Sequence, residues 1–215
     1  MSDQSLSHAA LMDETYRHQR LIYDVTRRFF LLGRDFLIDN LNPGTGARIL
    51  EVACGTGRNL QVILKRHPDC ALYGLDISDE MLRTALEKLH MRAHLVRADA
   101  CNFEAGEIFG AAQFDRIILS YSVSMIPDWQ RALETAARHL APGGQLHVVD
   151  FGDQSGLPRW FRRGLRRWLA KFHVTPRTDL AEALAAIAAR QGCTMVHQTR
   201  LRGYAQHGVL TRTAA

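Results

Sequence analysis

Short apolar runs recur along this chain, each long enough for one strand, separated by stretches that fit one helix. They are ARILEVA (47–53), ALYGLDI (71–77), AHLVRAD (93–99), FDRIILSYS (114–122) and QLHVVDF (145–151). β-branched residues and bounding turn residues mark them as buried strands. Helical segments are expected at 57–67, 79–89, 128–140 and 178–191, with Ser78 as an N-cap and the Ala141-Pro-Gly-Gly144 run as a stop. Strand and helix in alternation require a parallel sheet with helices on both faces, an α/β fold. CTMVHQTRL (193–201) and YAQHGVLTRT (204–213) are expected to pair as a final hairpin around Arg202-Gly203. Before the first strand, apolar residues at Leu21, Val25, Phe29, Leu32 and Phe36 predict a helical segment over 13–41, preceded by a loose end.

Length and composition bound this reading. At 215 residues the chain fits one domain. Its 47% hydrophobic and 23% charged residues exclude a disordered or collagen-like chain. No stretch has the uninterrupted apolar length of a transmembrane helix, and the acid-containing start shows no secretory apolar run. Cys54, Cys70, Cys101 and Cys193 form no CxxC pair and no His/Cys cluster with zinc spacing. Reduced thiols, a cytoplasmic setting and no metal are therefore expected.

The first strand runs into Glu51-Val-Ala53-Cys-Gly55-Thr56-Gly57-Arg-Asn-Leu60. Its glycines permit a tight turn and close backbone approach. The dinucleotide fingerprint needs a third glycine for helix packing, and Leu60 stands there, which disfavours a dehydrogenase. Asp76 ends the second strand and Asp99 the third. Open α/β sheets bind ligands at the carboxyl ends of their strands. There an acid can accept from ribose hydroxyls or from an adenine amine. Each acid alone is more often a turn or cap residue; Glu51, Gly55, Gly57, Asp76 and Asp99 on successive strand ends together point to a nucleoside-bearing cofactor.

The succession E-x-x-C-G-T-G, L-D-I-S, R-A-D-A and A-P-G-G resembles the class I S-adenosylmethionine-dependent methyltransferases over residues 47–151. The resemblance implies a single Rossmann-like domain over 42–215. It also implies a seven-stranded, mostly parallel sheet with a reversed C-terminal hairpin and a helical lid at 1–41. It implies S-adenosylmethionine as cofactor. Gly55, Thr56 and Gly57, with Ala53, would line its amino-acid and ribose end. Asp76 would hold the ribose, Ile77 and Met81 would lie beside the adenine, and Asp99 and Ala100 would meet the adenine amine. Glu51 would lie near the methionine amino group. Ser120 and Tyr121 would end the fourth strand next to the methyl group, Tyr121 positioning the acceptor.

YRHQRLIYDVTRRFFLLGRDFLI (16–38) resembles the lid of quinone- and lipid-type methyltransferases, and more closely the bacterial betaine-lipid N-methyltransferases. That resemblance implies stepwise methylation of diacylglyceryl-homoserine, with Tyr23 and Arg34 closing over the cofactor and Tyr16 and Arg20 facing the acceptor. It leaves open cooperation with the enzyme that makes this lipid.

The charge is concentrated. Residues 159–172, RWFRRGLRRWLAKF, carry Arg159, Arg162, Arg163, Arg166, Arg167 and Lys171 and no acid, while the whole chain has a net charge of +5. With Trp160, Phe161, Leu165, Trp168, Leu169 and Phe172 interleaved, the segment reads as an amphipathic helix suited to an anionic membrane surface. The alternative is that its aromatics pack on the sheet and its arginines face water. Peripheral attachment to the inner membrane is the expectation, and nucleic acid is not expected. The rival functions are methylation of a soluble small molecule, a quinone or phosphatidylethanolamine, and cofactor binding without catalysis.

Overall fold

The computed structural model describes residues 31–172 and 174–214. Seven strands form one sheet: β1 (Arg48–Val52), β2 (Ala71–Asp76), β3 (His94–Arg97), β4 (Phe114–Ser120), β5 (Leu140–Phe151), β6 (Cys193–Arg200) and β7 (Ala205–Arg212). Their spatial order is β3-β2-β1-β4-β5-β7-β6. β1 to β5 are parallel, and β7 inserts antiparallel between β5 and β6. The strand order reverses between β1 and β4, which opens a crevice at their carboxyl ends. The expected α/β fold and reversed hairpin are what is found.

The helices described are α1 (Arg34–Asp39), α2 (Arg58–Arg66), α3 (Asp79–Leu89), α4 (Ala105–Phe109), α5 (Trp129–Arg138), α6 (Arg159–Ala170) and α7 (Leu180–Gln191). They cover both faces of the sheet. One core cluster joins Leu50, Val52, Ile117, Leu119 and Val148 to Trp129, Leu133, Leu184 and Ile187. The other joins Ile49, Ile118, Val149 and Phe151 to Leu37, Leu60, Leu165 and Leu169. Alternate strand residues enter opposite clusters, as the pleat requires.

Three departures from the sequence reading have local causes. The segment before β1 is not one helix up to residue 41: Gly33 sits in the left-handed region (φ 103°), so α1 begins at Arg34. Its packing phase differs too. Leu31, Leu37, Ile38 and Leu41 are buried, while Leu32, expected in the stripe, is 45% exposed. The Pro142-Gly143-Gly144 stretch does not end a helix but bulges inside β5, where the register jumps from Phe114↔Leu140 to Arg116↔Gln145. α4 is a short helix that the sequence reading left out; its five residues are too few to show periodicity. By contrast Ser78 caps α3 as expected, its Oγ accepting from the Met81 amide at 3.3 Å.

Candidate functional site

The crevice begins where β1 ends. Glu51, in the middle of the sheet, is 2% exposed. Its Oε1 accepts from Asn59 Nδ2 at 2.7 Å, while Oε2 is buried with no hydrogen-bond partner among the described residues. Burial drives its carboxyl up to about 8, against the opposing pull of the Asn59 hydrogen bond and the nearby Arg34 charge. A buried carboxylate oxygen left unpaired is a place for a cation or a donor from a ligand.

After Val52 the chain turns sharply. Ala53 adopts φ 55°, a left-handed conformation uncommon for a residue with a side chain. The Cys54 amide donates to the Leu75 carbonyl at 2.9 Å, and the Gly55 amide donates to Asp76 Oδ2 at 2.8 Å. Thr56 is buried beside them. Gly57 is needed for packing: a Cβ there would lie 3.0 Å from Ala85 Cβ and 3.1 Å from Leu89 Cδ1 of α3. Leu60, in the third glycine position, is fully buried, and β2 accommodates it with Gly74, whose missing Cβ would sit 3.0 Å from Leu60 Cδ1.

Asp76 is held from two sides. Oδ2 takes the Gly55 amide, and Oδ1 takes the Ser78 amide at 3.0 Å. Both carboxylate oxygens are thereby oriented at the end of β2. Met81, one helical turn into α3, is buried against Met125 and Phe172. Ile77 is half-buried beside them in sequence. Asp99, beyond β3, closes a turn by accepting the Cys101 amide at 2.9 Å. Ala100 points into the core cluster with Trp129. The fold thus brings Glu51, the Gly55 loop, Asp76 and Asp99 to one edge of the sheet.

The ends of β4 and β5 form the rest of the rim. Ser120 and Ser122 have buried hydroxyls with no partner among the described residues. Tyr121 has φ 54° and is 2% exposed. Its hydroxyl donates to the Leu32 carbonyl, and its amide donates to the Val149 carbonyl at 2.7 Å. The sequence reading has Tyr121 facing the acceptor; the structure places its ring inside, T-shaped against Phe151, as a strut for the segment preceding α1. Gly33 lies directly over this strut. A Cβ on it would come within 3.7 Å of the Tyr121 hydroxyl and 3.3 Å of Val149 Cγ2. Arg34 follows, buried, its charge acting on both Glu51 and Tyr121. Tyr16, Arg20 and Tyr23 lie outside the described residues.

Asp150 is a residue the sequence reading missed. It is fully buried at the end of β5, accepting from the Ser124 amide at 3.0 Å and from the Phe151 amide at 2.7 Å. Burial raises its carboxyl to about 6. The signal that marks Asp76 and Asp99, an acid at a strand's carboxyl end, was present in QLHVVDF too. Arg177 completes the arrangement, donating to the Val123 carbonyl at 3.1 Å and the Ile126 carbonyl at 3.0 Å. The loop after β4 is therefore fixed from both sides. Among the described residues no group of three or more His, Cys, Asp or Glu side chains could hold a metal ion.

The basic segment forms α6 as expected, but its apolar side is occupied. Leu165 and Leu169 are buried in the core, with Phe161, Trp168 and Phe172 partly buried against the protein. An amphipathic helix whose apolar face is free for a bilayer is thus not what the fold presents. What faces outward is Trp160 with Arg159, Arg163, Arg167 and Lys171. No helix among the described residues is long and apolar enough to cross a membrane.

This donor set fits S-adenosylmethionine. The orphaned Glu51 oxygen suits an ammonium, Asp76 a ribose diol, and Met81 with Ile77 the flat face of an adenine.

Comparison with known proteins agrees. The family model for a methyltransferase domain matches residues 49–144. The demethylmenaquinone methyltransferase of Listeria welshimeri is 31% identical over 117 residues, covering 54% of this chain and 49% of the relative. The ubiquinone/menaquinone biosynthesis C-methyltransferase of Dinoroseobacter shibae is 35% identical over 126 residues, 55% of this chain and 48% of the relative. The chain thus spans about half the length of these curated relatives. Among solved structures, the plantazolicin methyltransferase BpumL in complex with a desmethyl substrate analogue and S-adenosylhomocysteine superposes with a TM-score of 0.72 at 18% identity. That match covers 97% of this chain and 96% of the other. The chain is thus similar to methyltransferases over residues 49–144, and its fold is that of a solved methyltransferase.

Proposed function

We propose that this protein methylates a ring carbon of a quinone-type acceptor. The observation that carries the reading is the 31–35% identity to quinone methyltransferases across the cofactor-binding half. In the reaction a bond forms between the ring carbon and the methyl group as the sulfur–methyl bond breaks. The sulfonium becomes a neutral thioether, and the ring carbon releases its proton to the medium as the ring regains aromaticity. Ring carbon attacks well only when the neighbouring quinone carbonyl is already reduced to a hydroxyl and that hydroxyl is deprotonated, so the acceptor is the quinol form. The protein's share is to hold donor and acceptor in line and keep water out. The crevice is suited to that: Glu51 and Asp76 fix the donor, while buried Ser120 and Ser122 leave hydroxyls for an uncharged oxygen-bearing ring.

Methylation of the amino group of diacylglyceryl-homoserine is the second reading. Its support is the resemblance of residues 16–38, most of which lie outside the described residues. One assay separates the two. The protein is incubated with methyl-labelled S-adenosylmethionine and vesicles holding either a reduced demethylated menaquinone or diacylglyceryl-homoserine. Label in the quinone fraction is the expected result. Label confined to the homoserine lipid would replace the proposal with the second reading, and label in neither would overturn both.

A further inference from the structure

Helix α6 carries a surface that its own stability does not explain. Trp160, Arg163, Arg167 and Lys171 follow one another at spacings of three and four, so they lie along one line of the helix. All four are exposed, Trp160 by 76%. Among the described residues none of the three cations, nor the neighbouring Arg159, is in an ion pair, and no acid lies between 159 and 172. Only Arg166 is tied inward, to Gln154 Oε1 at 3.3 Å and the Asp153 carbonyl at 3.1 Å.

Each of these features works against an isolated helix. Arg163, Arg167 and Lys171 are like charges at successive i,i+4 positions, which repel. Arg159 and Arg162 lie in the first turn, where the helix dipole disfavours cations. A largely exposed tryptophan leaves apolar surface in water. An anionic partner would relieve the repulsion, and a water–hydrocarbon boundary is where tryptophan side chains collect.

We infer that this stripe docks the protein on an anionic lipid bilayer, with Trp160 entering the interface and the cations lying over the headgroups. The inference goes beyond the acceptor assignment and holds whichever molecule is methylated. The placement fits delivery from a membrane. α6 is the next element after the carboxyl end of β5, with seven residues between them, and Phe172, just past it, packs with Met81 and Met125. Docking through α6 would set the mouth of the site against the bilayer. Its apolar face stays inside, so the attachment is a surface contact, released by salt.

The test is flotation of the purified full chain with vesicles of phosphatidylcholine alone or mixed with phosphatidylglycerol. Binding to the mixed vesicles only, falling with added salt, is expected. The Arg163→Gln/Arg167→Gln/Lys171→Gln variant should bind on the order of 100-fold more weakly, given the contribution of each basic residue near such a surface. Trp160→Ala should weaken binding separately, without changing its salt dependence. Both variants should keep wild-type far-UV circular dichroism and S-adenosylmethionine affinity, so a loss reports the surface and not the fold. Unchanged flotation of the triple variant would overturn the inference. So would equal binding to phosphatidylcholine alone, or a wild type that ignores vesicles and captures duplex RNA.

Discussion

The rim formed by β1, β2 and β3 and the rim formed by β4 and β5 are built from different kinds of contact. In the first, the key carboxylates are set mostly by neighbours close in sequence, with one longer link from the Gly55 amide to Asp76 across 21 positions. Asp76 accepts from Ser78 two residues on, Asp99 from Cys101, and Glu51 from Asn59 eight residues on. In the second, the parts arrive from far away. Tyr121 bonds Leu32, 89 positions earlier; Asp150 bonds Ser124 across 26, and Arg177 bonds Val123 across 54. The donor side is a local device of strand ends and turns. The acceptor side exists only once the chain has folded.

The largest effect that sharpens this contrast lies at Glu51. Its folded carboxyl is raised to about 8, whereas an unfolded one ionises near 4.5. Between those values the unfolded state holds fewer protons than the folded one, so Glu51 makes stability fall as pH rises through the window. Glu51→Gln removes that loss. The unliganded variant should exceed wild type by several kcal/mol at pH 8, at roughly 1.4 kcal/mol per pH unit, and match it near pH 4.5. The same variant should bind S-adenosylmethionine about 10- to 100-fold more weakly, because a charge-assisted bond is lost. Denaturant titrations across pH check the first half and calorimetry the second. A pH-independent difference in stability would break the comparison at its donor end.

A smaller effect belongs to the acceptor side. Tyr121→Phe leaves the Leu32 carbonyl without this donor and should cost about 1–2 kcal/mol in denaturant unfolding. Turnover should fall no further than the loss of that anchor explains. A thousand-fold slower enzyme of wild-type stability would return Tyr121 to the acceptor, where the sequence reading put it.

That contrast also explains which parts of the molecule were legible beforehand. Strand runs, the Gly55 turn, Ser78 as cap and the acids at 76 and 99 are short-range patterns, and the fold follows from them. The phase of residues 31–41 was not legible, because Gly33 turns the chain to pack over Val149 and Tyr121, a contact that periodicity does not carry. Tyr121 stands at the strand end where the sequence puts it, but its burial against Phe151 and its bond to Leu32 are long-range contacts that no local pattern carries. The aromatic side of α6 illustrates the same limit: its pattern fits a bilayer and a core equally, and the core took it.

The smallest predicted effect is on that helix. A Cβ on Gly164 meets nothing within 4 Å. Gly164→Ala should therefore stabilise the protein by about 0.5–1 kcal/mol through helix propensity, read as a higher denaturation midpoint. Destabilisation there would mean that α6 packs more closely than its exposed face indicates.

The central claim is that the strand ends around Asp76 form a cradle for S-adenosylmethionine, and calorimetric titration of that cofactor tests it most directly. Wild type should bind at a single site, and Asp76→Ala, shown to be folded by circular dichroism, should give no measurable binding. Unchanged affinity in the variant, or no binding by folded wild type, would contradict the account.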